Sequence, residues 1–225
     1  MNPEQNQLAP VSKTVLYVSL ILTFLFVLWG ALFPANLDLV AGSALSFLTV
    51  NFGWLYLAAV FFVLIFVIGV AFSPYGKIKL GQDDEEPEFT TTAWFAMLFT
   101  TGMGIGLVFW SIAEPIYHFM SPPFGEGGTT EAAETAMRYT FFHWGLHPWA
   151  VFALVGLALA YFQFRKGMPA LISSVFQPIL GDRVHGPIGK AIDILAVFAT
   201  VFGLGTSLGL GTMQINTGLN LIYGI

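Results

Sequence analysis

Five apolar stretches, each long enough to cross a bilayer as a helix, divide this chain: residues 14–34, 53–73, 93–119, 139–164 and 191 to the end. A spanning helix takes roughly 20 residues. Within lipid the backbone must satisfy its own hydrogen bonds, which leaves helices or closed barrels. Uninterrupted apolar runs of this length, without strand alternation, read as helices. The expected fold is therefore an all-α polytopic membrane protein with about five transmembrane helices. Composition agrees, since only 9% of residues are charged, against about 25% in a soluble domain. Eight Lys and Arg are too few and too scattered for a nucleic-acid interface. With no cysteine, disulfides and thiolate chemistry are excluded. The first run exceeds a signal-peptide core and follows Glu4, so it reads as an uncleaved helix.

Basic residues set the orientation. Lys13, Lys77, Lys79, Arg165, Lys166, Arg183 and Lys190 fall on one side if the N-terminus is cytoplasmic, leaving only Arg138 opposite. By the positive-inside tendency the N-terminus is expected in the cytoplasm, with the chain multi-pass in the cell inner (plasma) membrane. The segments are then a cytoplasmic N-terminus (1–13), two helices joined by a loop over 35–52 (14–73), a cytoplasmic loop carrying the acidic run DDEEPE (74–92), and three further helices (93–225). The sequence has no internal repeat and ends on an apolar run. Further helices are expected, from a longer chain or from another one.

The stretch TTGMGIGLVFW (100–110) places Gly102, Gly104 and Gly106 in the middle of the third span. Gly102 and Gly106 form a GxxxG pair, which suits close helix packing. A dinucleotide fingerprint fails, because GxGxxG would need glycine where Leu107 stands. The sharper reading is a break in the helix, since each glycine costs about 1 kcal/mol relative to alanine. Free backbone groups at membrane depth are tolerated only beside protein or a wet cavity. Broken helices of that kind build substrate and ion sites in secondary transporters.

In the fourth span, FFHWGLHPWAVF (141–152) holds Trp144, Trp149 and Phe152. On one continuous helix these would share an arc of roughly 140°, with a kink expected at Pro148. Trp144 also suits an interfacial belt, and aromatic stripes often simply pack. Aromatic faces around a cavity would suit a quaternary ammonium, held by cation–π attraction. His143 and His147 are spaced i, i+4, but zinc needs at least three protein ligands, and polar packing is the plainer account. Glu114 lies near the outer end of the third span; it could line a pathway or, beside Pro115, serve a helix end.

GMGIGLVFWSIAEPIYHF (102–119), FHWGLHPWAVF (142–152) and IDILAVFATVFGLGTSLGLGTMQIN (192–216), with FSPYGKIKLG (72–81), resemble the betaine/carnitine/choline transporter family, most strongly its bacterial glycine betaine members. The resemblance implies a LeuT-like inverted-repeat fold, in which two peripheral N-terminal helices precede a core of five plus five. This chain would supply those two and the first three core helices. Residues 102–106 (Gly102, Met103, Gly104, Ile105, Gly106) match the unwound, substrate-contacting part of the first core helix. Trp144 and Trp149 match two positions of the betaine-binding aromatic box, and Phe152 stands where some members have tyrosine. Sodium-coupled members would place one sodium ion at the carbonyls of Thr100 and Met103. A second would lie near Thr200, although Leu204 replaces the threonine expected one turn on. The neutral Gly106 and Leu107, where proton-coupled choline members can carry an acid, lean towards sodium and betaine.

The resulting expectation is a secondary active importer of glycine betaine or a related quaternary-ammonium osmolyte, with sodium as the coupling ion and no other cofactor. Its partners would be membrane lipid and the small-molecule substrate, and some members assemble as homotrimers. Two other classes compete: a non-transporting scaffold or partner subunit of a split transporter, and an intramembrane enzyme using His143, His147 and Glu114.

Overall fold

A computed structural model describes residues 12–224, with only the backbone given for Ile105. Among the described residues every regular element is helical. The chain divides into two compact units. The residues up to Asp83 and Trp149–Val201 form one; Asp84–Pro148 with the residues from Phe202 onward form the other.

In the first unit, helix α1 (Lys13–Leu32) starts at Ser12, whose hydroxyl accepts from the Val15 N–H. It stops at Phe33 because the residue before a proline is pushed out of helical geometry. Pro34 then opens α2 (Pro34–Phe72) at its first turn, where a missing N–H is harmless. The Trp29 indole donates to Asn36 across this joint at 3.0 Å, and Phe26 meets Phe198 edge-on.

Helix α2 corrects the expected loop over 35–52, which is helical throughout. Asp38 is its one charge there and no proline follows Pro34, so nothing breaks the backbone ladder. Ser43, Thr49 and Asn51 turn their polar groups onto carbonyls of their own helix. At 39 residues and 1.5 Å per residue, α2 is about 58 Å long. That is nearly twice the hydrocarbon thickness of about 30 Å, so the helix continues well past a single crossing.

Residues 81–83 are tied to the end of the fourth span, within the same unit. Arg165 donates to the Gly81 carbonyl (2.9 Å) and to Asp83 (2.6 Å), while the Gln82 amide donates to the Phe164 carbonyl (3.0 Å). These partners sit on a π-helical turn (Tyr161–Arg165) that closes helix α6 (Leu146–Ala160). Beyond it, α7 (Ile172–Val175) and α8 (Gln177–Leu180) lead to α9 (Pro187–Tyr223). The buried Asp193 of α9 accepts from both the backbone N–H and the hydroxyl of Ser173. A buried carboxylate is thereby satisfied by a connecting segment rather than by another span. At Gly189 a Cβ would lie 1.6 Å from the Val184 carbonyl, so only glycine allows this entry to α9.

In the second unit, α3 (Thr91–Gly102) begins at a Thr90 cap, and α4 (Ile105–Met120) follows after two non-helical residues. Helix α5 (Thr130–Trp144) is capped by Thr129 and packs along α4, with the small Ala132 and Ala136 buried. Small side chains are what let two membrane helices approach closely.

Among the described residues four helices are long and apolar enough to cross a membrane, and the bent pair α3–α4 is either a fifth, broken span or a re-entrant loop. The all-helical, multi-pass expectation is met. The start of the fourth span moves from 139 to Thr130 and that of the last from 191 to Pro187.

Candidate functional site

The glycine stretch breaks its helix. Met103 and Gly104 are non-helical, and the flanking helices bend by 50°. Gly104 is extended (φ −83°, ψ −175°), a conformation open to any residue, so glycine is present for space or entropy rather than handedness. Among the described residues, no backbone N–H reaches the carbonyls of Thr100 or Met103. Those oxygens are the groups a dehydrated cation or a polar substrate could use. The packing alternative fares less well at Gly104 and Gly106, since a Cβ at either would meet nothing within 4 Å. Gly102 ends α3 and is half-buried, and Met103 is exposed. The side chain of Ile105 lies outside the described part.

The threonine hydroxyls match an ion site less directly. Thr100 donates to the Ala96 carbonyl and Thr200 to the Ala196 carbonyl, each at 2.8 Å. Such i−4 bonds satisfy a hydroxyl in an apolar helix while leaving its oxygen lone pairs for a cation. Thr100 and Met103 belong to one unit and Thr200 to the other.

The aromatic positions do not share a single helix. Gly145 interrupts the fourth span three residues before the kink expected at Pro148, leaving Trp144 at the end of α5 and Trp149 in α6. The cause is local. Pro148 has no N–H for the Trp144 carbonyl, and a Cβ at Gly145 would sit 2.5 Å from the Phe141 carbonyl. The common arc therefore holds only for Trp149 and Phe152, whose rings meet edge-on with centroids 6.0 Å apart. Both are exposed.

Glu114 is the residue the sequence reading placed least well. It lies inside α4, six residues before its end, and is buried; a helix-end role is ruled out. One carboxylate oxygen, Oε1, contacts His143 Nδ1 and lies 3.5 Å from His118 Nε2. The other, Oε2, accepts from the Trp144 indole at 2.5 Å. A candidate box residue is thus held by a buried acid on the helix that follows the break. His118 went unnoticed although it stands i+4 from Glu114 on the same helix face, the one signal that could have found it. His147 does not join the cluster and meets the Phe142 ring at a tilt instead, with centroids 4.9 Å apart.

Residues 14–225 match the family described as BCCT, betaine/carnitine/choline family transporter. The chain is 66% identical to the probable glycine betaine transporter of Desulfitobacterium hafniense and 58% identical to the glycine betaine transporter OpuD of Bacillus subtilis, with 95% of the chain aligned in both cases. It is 44% identical, over 99% of its length, to the high-affinity choline transport protein of Escherichia coli K12. It spans 43%, 42% and 32% of those relatives' own lengths. All three are transport proteins by name rather than enzymes, which removes the reading of His143, His147 and Glu114 as catalysts. Matched along nearly all its length and two-thirds identical to one member, the chain belongs to the betaine/carnitine/choline transporter family.

Proposed function

We propose that this chain forms the amino-terminal part of a secondary active importer of glycine betaine or a closely related quaternary-ammonium osmolyte, coupled to sodium. The observation that carries this reading is the helix break at Met103–Gly104, with carbonyls at Thr100 and Met103 that no backbone N–H among the described residues reaches, in an otherwise apolar span. A quaternary ammonium cannot donate a hydrogen bond, so its recognition falls to aromatic faces. Trp144, Trp149 and Phe152 supply three, and the family's LeuT-like arrangement would bring further ones from helices beyond those described. The names of the relatives support this substrate class, two being betaine transporters and one a choline transporter. Sodium fits the oxygen-only donors at 100 and 103. With no acid in the glycine stretch, a proton carrier is absent there. The N-terminus and the acidic loop 74–92 lie in the cytoplasm on this reading, and a homotrimer is the assembly to test.

The deciding experiment is uptake of labelled glycine betaine into proteoliposomes holding the complete protein. An inward sodium gradient should drive accumulation, and replacing sodium by potassium should abolish it. Residues 1–225 alone should insert into the bilayer and accumulate nothing, because half of the box and of the ion ligands would be missing. Uptake driven equally well by a proton gradient without sodium would overturn the coupling.

A further inference from the structure

We propose that Glu114, His118 and His143 form a zinc-class metal site that staples α4 to α5. Their ligand atoms all lie within 4.8 Å of one another. Glu114 and His118 stand one turn apart on α4, and His143 enters from α5. The set has the chemistry of a two-histidine, one-carboxylate zinc site, which leaves a fourth position for water or another ligand. Tetrahedral zinc with bonds of about 2.0–2.1 Å needs ligand atoms about 3.3 Å apart. The His118–Glu114 pair is already at 3.5 Å. The closer Glu114–His143 contact must open, as the proton between those two groups is exchanged for the metal and leaves to solvent, and the two histidine nitrogens, within 4.8 Å of each other, settle to the same spacing.

Three further features point the same way. Glu114 is buried while His143 is 45% exposed, so the cluster has a protected floor and an open side. Among the described residues His118 Nδ1 is buried without a hydrogen-bond partner, so the ring, packed against Tyr117 and Tyr139, turns its other nitrogen, Nε2, to Glu114 and the cluster. The metal would use Oε1 of Glu114, while Oε2 keeps the Trp144 indole as an outer-shell partner. Outer-shell bonds of that kind orient a ligand and strengthen it. The site is independent of the transport reading, because it requires only α4 and α5.

The test uses the purified chain in detergent. Cobalt(II) should bind at one per chain with the intense visible absorption of a tetrahedral site, and zinc should displace it. Paramagnetic cobalt should quench part of the tryptophan fluorescence, and that part should vanish in Trp144→Phe while cobalt binding persists. His118→Gln and His143→Gln should each weaken zinc binding at least about tenfold, the scale on which metal sites respond even to outer-shell changes. His118→Cys, which restores a ligand, should retain it, and His147→Gln should match wild type. Zinc should also raise the unfolding temperature of wild type but not of His143→Gln. No saturable cobalt binding by the helical wild-type chain, or equal affinity in wild type and both glutamine variants, would overturn the site.

Discussion

At Trp149 the question is whether a ring acts by its face or by its bulk. A desolvated cation over an aromatic face gains about 2 kcal/mol or more, and 1.4 kcal/mol is one decade of affinity. Trp149→Leu in the complete protein should therefore raise the apparent KM for glycine betaine roughly tenfold or more. Trp149→Phe, keeping a weaker ring, should fall between. Equal KM across all three, measured by initial-rate uptake, would remove Trp149 from the site. Gly104 poses the complementary question. A Cβ there would meet no neighbour within 4 Å and the backbone is already extended, so Gly104→Leu should not unfold the helix pair. Transport should nevertheless be lost at near-normal membrane expression, because the added bulk would project where a substrate approaches the backbone. Normal uptake in that variant would leave the stretch a bend and nothing more. Residue type drew attention to both positions, and the family resemblance proposes the roles that these two variants test. The surroundings of Glu114 were not legible, since partners come from a second helix and only the i+4 spacing to His118 hinted at the face it serves.

Helix breaks were easier to foresee than helix extents. Three alternating glycines announced the gap at Met103–Gly104, because glycine lowers helix stability wherever it stands. In the fourth span proline drew the eye, yet the break fell at Gly145. The lost hydrogen bond belongs to a carbonyl four residues back, and the chain yields where no side chain obstructs it. The full length of α2 was hidden because a count of about 20 residues per crossing sets no upper limit on a helix. Tertiary ties were hidden altogether, and the contact of residues 81–83 with Arg165 shows why. Nothing in the acidic run marks Asp83 as a carboxylate that meets a guanidinium. That guanidinium donates to Asp83 and lies beside it, holding its carboxyl below the ordinary carboxylate range. A depressed folded pKa means the tie is fully formed above the unfolded value, near 3.9, and is lost only as pH falls through the lower folded value. Between pH 5 and 8 it should not change. Exposed ion pairs contribute little to global stability, so Asp83→Asn should leave the unfolding temperature nearly unmoved. Its effect should be local, with faster amide exchange at residues 80–86 by mass spectrometry. Exchange identical to wild type would mean that the Gln82 and Gly81 bonds alone hold the segment.

Across the whole molecule the surface is apolar where a water-soluble domain would be polar. Leu, Phe, Ile and Val side chains stand exposed along α1, α2 and α9, and the only buried apolar residues among those described are Ala132, Ala136, Ala150 and Val184. Such a surface is stable only against lipid or other helices, so the fold is held by backbone hydrogen bonds within each span and by a few polar ties between them. Orientation then follows from charge near the span ends, and it can be measured cleanly because the chain has no cysteine. A single cysteine is the only thiol an impermeant maleimide can find. Phe124→Cys, in the exposed connection between α4 and α5, should label in intact cells if the N-terminus is cytoplasmic. Asp84→Cys, in the connection between α2 and α3, should label only after the membrane is opened. The two positions flank the bent span α3–α4, so their labels must be opposite if that pair crosses the bilayer as one span. Labelling of both from the same side would instead make α3–α4 a re-entrant hairpin. The broken helix would then dip into the membrane and return, and the carbonyls of Thr100 and Met103 would sit at its turn rather than midway along a crossing.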